Sequence, residues 1–491
     1  MSTAELDVES LGSSAGRGLR WSLLGNVVTK FGSFGMGLVL ARLLAPADFG
    51  VYAVALAALN FVMHVNDVGL IAATVQWRGK LEEMAPTAAT LAVAFSVAVY
   101  GVFWLAAPSV AGLAGVPQAT GVLRLLTVII LIDGLTAVRS AALMRTFRQD
   151  KLIAANLAGL AVNALVAISL AARGGGPFSF AGGQVAGAVV TGVLVFVVAK
   201  IPVKVGIDPA IARKLMRYGV PLAASLGIEA ILMNADYIII GRVLHNVALL
   251  GFYLLAFNIS TWALSVISSA VRYVSVAGFS RLSELDKERL SAGVQRSVPL
   301  LFTGLVPIAV LTAALAEPLV SVLYGGAWAP AAPVLRFLMI LTVVRVMTSF
   351  ALDILMGAGA TRSTLWLNLG WAVALIPALI IGTYLDAIRG AAVAHAIVGS
   401  LVAVPVTLVA LHRAGVRLAP IVPTLARPLL AGVLGGGAAL LVVRLGGLPP
   451  LATLCCGGAA GLLVYIAVAV PPQQFRQWLG SIRREQAHAV D

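Results

Sequence analysis

The sequence predicts an all-α integral membrane protein with about 14 transmembrane helices. Hydrophobic residues make up 60% of the 491 positions and charged residues only 11%, whereas soluble domains are closer to half apolar and a quarter charged. Apolar runs of about 20 residues, the length that a helix needs to cross the hydrocarbon core, follow one another along the chain. A transmembrane β-barrel would show shorter segments of alternating polarity. Lipid is therefore the predicted solvent of this chain.

The predicted spans are helices separated by short polar breaks. They lie at 18–41, 50–72, 87–108, 119–142, 152–172, 179–199, 217–240, 247–275, 297–320, 333–357, 363–384, 388–411, 424–445 and 449–470. The N-terminus, MSTAELDVESLGSSAG, is polar and lacks the apolar core of a signal peptide. We therefore expect the first span to serve as the insertion signal.

The basic residues are concentrated on one side of the predicted membrane. With the N-terminus inside, most Lys and Arg residues fall in cytoplasmic segments, whereas the outer breaks hold Arg42, Arg173, Arg242, Arg389 and Arg444. This positive-inside bias predicts both termini in the cytoplasm. Topology thus explains the net charge of +14, and the charge gives no support to nucleic acid as a partner.

A repeat with a period of about 200 residues relates the two halves of the chain. Leu40–Asn60 reads LARLLAPADFGVYAVALAALN, and Ile240–Ser260 reads IGRVLHNVALLGFYLLAFNIS. With one residue inserted, the matched pairs are Arg42 with Arg242, Gly50 with Gly251, and Tyr52 with Tyr253. Six predicted spans separate the copies, and an even number of crossings gives both halves the same orientation. Parallel repeats of this kind are a transporter architecture.

The repeat predicts two six-helix bundles related as parallel repeats, with two extra C-terminal helices. The predicted segments are a cytoplasmic N-terminal tail (1–17), a first bundle (18–199), a cytoplasmic linker (200–216), a second bundle (217–412), two further transmembrane helices (424–470) and a cytoplasmic tail (471–491).

The connection between the first two spans, LARLLAPADFGVYAVA followed by DVGLIAATVQ, resembles the opening of bacterial polysaccharide flippases. These proteins belong to the multidrug/oligosaccharidyl-lipid/polysaccharide (MOP) exporter superfamily. Five further segments recur in the family's order: RYGVPL, NADYIIIGRVL, LGFYLLAFNI, GFSRLSE and YGGAWAPAAPVLRFL. The resemblance covers about residues 17–412, and the last two spans carry no part of it.

This resemblance implies a function and a set of partners. It implies two bundles around a central cavity that opens alternately to each side of the bacterial plasma membrane. The cargo would be an undecaprenyl-diphosphate-linked oligosaccharide, moved from the cytoplasmic to the outer leaflet for exopolysaccharide, capsule or lipopolysaccharide biosynthesis. The implied partners are this lipid-linked substrate, membrane lipids, and the polysaccharide polymerase and export machinery.

Cations at membrane depth are the expected ligands of the diphosphate. A charge at the centre of a spanning helix costs about 2.5 kcal/mol or more on insertion scales, so it should face water or a partner. Arg also suits a diphosphate because its planar fork binds oxyanions bidentately. The candidates are Lys30, Arg345, Arg272 and Arg139. Related flippases line their cavity with cations, including on the first and eighth helices, and Lys30 and Arg272 are similar to these in placement. The alternative is structural: Arg139 and Arg272, and more so Arg124 and Arg336, can reach an interface or pair with a carboxylate.

Other polar residues at membrane depth are candidates for further roles. Glu229 and Asp353 are candidates for ion coupling, and an inter-helical salt bridge is the alternative. Neither Asp133 with Arg139 nor Asp353 with Arg345 has the spacing of a same-face pair, so their partners should lie on other helices. A further set of polar residues could bind sugar hydroxyls or form inter-helical hydrogen bonds. The set consists of His64, Asn234 and His395.

The repeated outer connections carry Arg42 and Arg242, which are candidates for an outer gate. A salt bridge between Arg42 and Asp48 that stabilises the connection is the simpler interpretation.

The sequence predicts a transporter that makes no covalent change and needs no cofactor or metal. The two cysteines, Cys455 and Cys456, are adjacent within the last span and are too few for a metal site. The alternatives are a multidrug exporter of the same superfamily and a membrane glycan polymerase or ligase. Cations rather than carboxylates at membrane depth disfavour the first. Short outer loops with few acidic residues disfavour the second.

Overall fold

The computed structural model describes residues 3–66, 81–146, 148–199, 205–263, 287–357 and 361–470. These residues form α-helices joined by short connections, with a 3₁₀ turn at Gly326–Trp328 and a π turn at Gly399–Ala403. The helices are α1 (Thr3–Leu43), α2 (Pro46–Asn66), α3 (Leu81–Leu113), α4 (Ala119–Arg145), α5 (Gln149–Ala172), α6 (Phe178–Ala199), α7 (Pro209–Leu244), α8 (Val247–Ala263), α9 (Lys287–Ala314), α10 (Ala316–Tyr324), α11 (Ala331–Gly357), α12 (Thr361–Val398), α13 (Val404–Arg413), α14 (Ile421–Leu445) and α15 (Pro450–Ala469).

The predicted fold class is confirmed. Within the described residues, 11 helical stretches are long and apolar enough to cross a membrane, and Val247–Ala263 is a shorter apolar helix. The count of about 14 spans stays a prediction. One stretch, Leu369–Arg413, includes parts of two predicted spans, 363–384 and 388–411. The backbone leaves the helical conformation at Asp386 and Ala387, in the predicted break between them.

The turn at Asp386 and Ala387 is tight. Ala387 has φ 44° and ψ −134°, a left-handed conformation that glycine adopts more readily than alanine. Arg389 Nε lies 3.2 Å from Asp386 Oδ2, so the two side chains form an ion pair. Gly390 packs against the Gly382 carbonyl so closely that a Cβ would overlap it. Close backbone packing on both sides of the turn thus holds Ala387 in a strained conformation.

Ala387→Gly is expected to stabilise the protein by about 1 kcal/mol, because strain at such a backbone position costs about 1–3 kcal/mol and glycine relieves it. Thermal unfolding of the detergent-solubilised protein would measure the change. Ala391→Gly is the control, because Ala391 lies in the helix four residues later and glycine there should cost about 1 kcal/mol. Equal destabilisation by both substitutions would contradict strain at Ala387.

The predicted span over 297–320 is wrong as one continuous helix. Helix α9 ends at Ala314, and α10 begins at Ala316. Pro318 explains this, because a proline has no N–H to donate to the carbonyl four residues earlier and its ring clashes with that carbonyl. The carbonyl concerned belongs to Ala314, where α9 ends.

Helix α7 begins at Pro209, within the predicted linker 200–216. The Asp208 side chain caps it: Oδ1 accepts from the Ala210 and Ile211 backbone N–H groups at 2.8 and 3.2 Å. Asp followed by Pro is a helix-start pattern readable from sequence. Helix α1 likewise begins before its predicted span, at Thr3.

The described helices divide into two compact units. The first covers Met1–Leu255 and Leu375–Ala391, and the second covers Ala256–Ala374 and Ala392–Asp491. In the first, α3 packs on α4, α5 on α6 and on α1, and α2 on α7. In the second, α9 packs on α11 and α14, and α14 packs on α15. The predicted bundle boundaries at 18–199 and 217–412 stay a prediction.

Glycines bring helices into close contact within each unit. A Cβ on Gly159 would lie 2.7 Å from the Gly187 carbonyl oxygen, and one on Gly187 would lie 2.6 Å from the Gly159 carbonyl oxygen. Gly183 of α6 also packs on α5, against Asn163 and Ala167, so Gly183 and Gly187 form a Gly-x-x-x-Gly packing surface between the two helices. In the second unit, Gly432 packs against Val306, and Gly457 against Leu315.

Candidate functional site

Lys30 lies on an open face of α1. Gly25 and Gly32 pack against Ile153 and Leu160 of α5. Lys30 is five residues after Gly25 and two before Gly32, which places it on roughly the opposite side of α1. Gly37, two turns beyond Lys30 on the same face, has no heavy atom of the described residues within 4 Å of where its Cβ would be. The half-buried Lys30 thus shares its face with open space, and its role as a cavity cation stays a prediction.

Two of the predicted glycan contacts come together on α2 and α7. Asn60 Nδ2 donates to Asn234 Oδ1 at 3.2 Å, and His64 Nδ1 lies 2.6 Å from the Asn60 carbonyl oxygen. All three side chains are half-buried. Sequence reasoning did not include Asn60, although its position four residues before His64 on one helix face could have indicated it. This cluster offers amide and imidazole groups for hydroxyl recognition, and its role as a glycan contact stays a prediction.

Asp133 belongs to a separate polar cluster between α2, α3 and α4. Asn66 Nδ2 donates to Asp133 Oδ2 at 3.0 Å, and Ser96 Oγ donates to Asn66 Oδ1 at 2.8 Å. Asn66 and Ser96 are both buried. Asp133 therefore has a partner on another helix, as its spacing from Arg139 indicated.

Two arginines of the first unit, Arg139 and Arg124, each lie against an aromatic ring. Arg139 is 6% exposed, and its Cζ lies 3.8 Å from the ring centroid of Phe196 on α6. Arg124 Cζ lies 4.1 Å from the Trp104 ring centroid, and its Nε donates to the Trp104 carbonyl at 3.2 Å. These are cation–π contacts between neighbouring helices. Arg124 thus has the structural partner that its position favoured, whereas a cavity role for Arg139 stays a prediction.

The two copies of the repeat contact each other where α2 and α8 cross. Gly50 packs on the backbone carbonyl of Val247, and Gly251 packs on the backbone carbonyl of Pro46. Gly50 is four residues after Pro46, and Gly251 is four residues after Val247, so the contact is reciprocal. A Cβ on either glycine would overlap the opposing carbonyl oxygen. The matched glycines of the repeat therefore allow two helix N-termini to meet at backbone distance.

The matched tyrosines lie two residues further into these helices and are both buried. Tyr52 accepts a hydrogen bond from Gln184 Nε2 and stacks on Phe180, with ring centroids 4.3 Å apart. Tyr253 Oη donates to Asp236 Oδ2 at 2.8 Å. Both tyrosines thus fix the crossing helices to a neighbour through one polar contact.

The gate candidates Arg42 and Arg242 are exposed near this crossing. Asp48 Oδ2 accepts from the Ala45 backbone N–H at 2.9 Å, which stabilises the start of α2. A gate role for the two arginines, and the pairing of Arg42 with Asp48, stay predictions.

In the second unit, Arg345 lies mid-helix on α11 and is half-buried. Its Cζ lies 5.2 Å from the ring centroid of Phe257 on α8. His395 on α12 is 3% exposed and lies within electrostatic range of Arg345. Asp353, also on α11, is buried. The structure therefore brings two predicted site residues, Arg345 and His395, into one neighbourhood.

The remaining residues at predicted membrane depth are Arg336, Arg272 and Glu229. Arg336 Nη2 lies 3.7 Å from Glu317 Oε2 at an exposed position, which is the carboxylate pairing that the structural alternative expected. Arg272 lies outside the described residues. Glu229 falls within α7, but its side chain is outside the described part of the chain. Among the described residues, no group of three or more His, Cys, Asp or Glu side chains is placed to hold a metal ion.

Apolar spanning helices with half-buried cations define a multi-pass membrane protein of the transporter class. A family model described as polysaccharide biosynthesis protein matches residues 39–333, and the chain belongs to that family. It is 29% identical over 374 residues, 74% of each chain, to the succinoglycan biosynthesis transport protein ExoT of Rhizobium meliloti (strain 1021).

The fold is shared with solved MOP-superfamily structures. The lipid II flippase MurJ in an inward closed conformation superposes with a TM-score of 0.76 at 12% identity, covering 94% of this chain and 100% of that one. An inward-facing multidrug resistance MATE family transporter superposes with a TM-score of 0.63 at 16% identity, covering 79% and 94% respectively. The resemblance to the polysaccharide flippases of this superfamily is confirmed.

Proposed function

We propose that this protein moves undecaprenyl-diphosphate-linked oligosaccharide repeat units from the cytoplasmic to the outer leaflet of the bacterial plasma membrane. It does so by alternating access and without covalent change. Membership of the polysaccharide biosynthesis family supports a polysaccharide precursor as the cargo. The transport function in the name of the ExoT relative, and the flippase function in the name of the MurJ structure, support movement of a lipid-linked form.

The observation that carries the proposal is Lys30 on the open face of α1. A spanning helix bears the cost of a mid-membrane charge where the charge faces water or a ligand. Arg345 supplies a second half-buried cation in the other unit. An ammonium or a guanidinium suits a phosphate of the lipid carrier, and the Asn60, His64 and Asn234 cluster suits sugar hydroxyls.

Further parts of the proposal follow from the same assignment. Both termini lie in the cytoplasm, and Asp353 or Glu229 carries the coupling ion. Arg42 and Arg242 act at the outer gate, and Arg139 and Arg272 add to the cavity charge. Membrane lipids surround the helices, and the polymerase and export machinery receives the cargo on the outer side.

Deletion of the gene tests the proposal. The lipid-linked glycans are identified by mass spectrometry, and leaflet-resolved lectin labelling shows on which side they lie. Complete repeat units should accumulate on the cytoplasmic side, and the wild-type gene should remove them. Unpolymerised units on the outer side would instead indicate a polymerase or ligase. Unchanged glycans with altered resistance to organic cations would indicate a multidrug exporter.

A further inference from the structure

Helix α2 packs into the first unit over most of its surface. Every residue from Phe49 to Ala55 is buried. Further along, the half-buried positions Leu56, Asn60 and His64 follow one another at intervals of four residues and form one stripe on the helix. Two of the three are polar, and polar side chains at membrane depth face the bundle interior or water rather than lipid. The open part of this stripe is therefore wet.

The hydrogen bond of His64 fixes which ring nitrogen carries a hydrogen. Nδ1 lies 2.6 Å from the backbone carbonyl oxygen of Asn60. A carbonyl oxygen accepts but cannot donate, so Nδ1 must hold the hydrogen. A neutral imidazole has a hydrogen on one nitrogen and a lone pair on the other. Nε2 of His64 therefore carries the lone pair, and it makes no hydrogen bond with any described residue.

The same turn of α2 is tied to α7 through Asn60. Its side-chain Nδ2 donates to Asn234 Oδ1 at 3.2 Å, while its backbone carbonyl accepts from His64 Nδ1. A charged imidazole donates a stronger hydrogen bond than a neutral one. A proton on Nε2 would therefore strengthen the bond to Asn60 and place a positive charge beside the contact between α2 and α7.

Helices α3 and α4 reach α2 from the side away from His64. Val62 packs with residues of both helices, and Asn66 donates to the carboxylate of Asp133 on α4. Val62 and Asn66 are each two residues from His64, a rotation of about 200°, so they lie across the helix from it. Helix α6, which also contacts α2, has no titratable side chain between Phe178 and Ala199.

Helix α7 carries two carboxylates near its contact with α2. Asp236 is two residues after Asn234, so it lies across α7 from that contact, and it accepts from Tyr253 Oη of α8 at 2.8 Å. Glu229 is five residues before Asn234. In the predicted topology the two helices run in opposite directions, which puts Glu229 at about the depth of His64. Its side chain is outside the described part of the chain, so the experiment must control for it.

We propose that Nε2 of His64 is a proton-binding site within the membrane and that proton binding there drives movement of the cargo. The inference rests on the proposed function and deepens it, because it adds a histidine to Asp353 and Glu229 as carriers of the coupling ion. A proton passes from water on the outer side to the Nε2 lone pair and later to water on the cytoplasmic side. A proton that binds one conformation more tightly shifts the protein toward that conformation, so cargo movement depends on a pH difference across the membrane.

Nitrogen-15 NMR of the full-length protein in lipid nanodiscs, with labelled histidines, tests the binding site itself. The chain has five histidines, and His64→Asn identifies the His64 signals by their loss. His64→Gln does the same if the asparagine variant fails to fold. At high pH we expect a protonated Nδ1 and a bare Nε2, and lower pH should produce the imidazolium. A bare Nδ1, or a ring that takes up no proton down to about pH 5, would overturn the proposal.

Transport in liposomes tests the coupling. Movement of the undecaprenyl-diphosphate-linked oligosaccharide is measured with and without a pH difference of about one unit, acidic on the outer side. The wild-type rate should rise several-fold, with a limit of about tenfold because one pH unit is a tenfold difference in proton concentration. His64→Asn keeps an N–H for the Asn60 carbonyl but cannot bind a proton. Its rate should be the same with and without the pH difference.

His412→Asn is the matched control, because His412 is an exposed histidine in the last turn of α13. It should keep the wild-type response to pH. A wild-type response in His64→Asn, or a response lost in Glu229→Gln but kept in His64→Asn, would overturn the proposal. A His64 that titrates as expected, in a protein whose deletion leaves the lipid-linked glycans unchanged, would keep the proton-binding site and reject the proposed function.

Discussion

Arg345→Ala is expected to lower transport of the lipid-linked oligosaccharide by about a hundredfold. A guanidinium binds a phosphate through two charged hydrogen bonds, each worth about 1.5–3 kcal/mol, and each 1.4 kcal/mol is a factor of ten. Lys30→Ala should cost about tenfold, because an ammonium acts as a single point charge. Cytoplasmic-side accumulation of the lipid-linked unit in a deletion strain that carries each variant measures the loss.

Two variants make this result specific. Arg345→Lys keeps the charge but loses the bidentate geometry, so it should recover part of the activity. Arg336→Ala removes another arginine of α11, whose exposed pair with Glu317 spans 3.7 Å. An exposed pair of this kind is worth about 0–1 kcal/mol, so transport should be close to the wild-type level. Full activity of Arg345→Ala, with normal expression, would remove Arg345 from the site.

Gly50→Ala and Gly251→Ala are each expected to destabilise the protein by about 3 kcal/mol or more, the upper range for overpacking. At each position the added methyl would meet a backbone carbonyl of the opposing helix, Val247 for Gly50 and Pro46 for Gly251. A helix carbonyl cannot rotate away as a side chain can, so the helices must separate. The fraction of monodisperse protein left after a temperature ramp in detergent measures the effect.

Gly101→Ala is the control for these substitutions. Gly101 lies in α3, and no heavy atom of the described chain is within 4 Å of where its Cβ would be. Alanine there should stabilise the helix by about 0.5–1 kcal/mol. Wild-type stability of Gly50→Ala would show that α2 and α8 are not in backbone contact.

The fold class could be read from the sequence because a spanning helix is a local property of about 20 consecutive residues. The break at Asp386 and Ala387 falls between two predicted spans for the same reason. The break after Ala314 was missed because the apolar run continues through it, and only Pro318 marks it. The early start of α7 was missed because the span was set by hydropathy, although Asp208 and Pro209 carry the capping pattern.

The candidate site was predictable to a smaller degree. The spacing of Asp133 from Arg139 excluded a same-face pair and so predicted a partner on another helix. It could not identify Asn66, because the choice among neighbouring helices depends on packing. The repeat matched Gly50 with Gly251, but a sequence match does not reveal that the two copies touch. Nothing in the sequence shows which ring nitrogen of His64 carries the hydrogen, because that follows from its bond to the Asn60 carbonyl.

Helices α14 and α15 are held against α9 by close packing of complementary surfaces rather than by the hydrophobic effect. Gly432 and Gly436 receive Val306 and Val310, Gly461 receives Leu311, and Tyr465 Oη donates to the Thr303 carbonyl at 2.8 Å. Acyl chains are as apolar as these side chains, so lipid could cover the surface of α9 if α14 and α15 were removed. A truncated chain would therefore lose close van der Waals contact and one hydrogen bond, without exposing apolar surface to water.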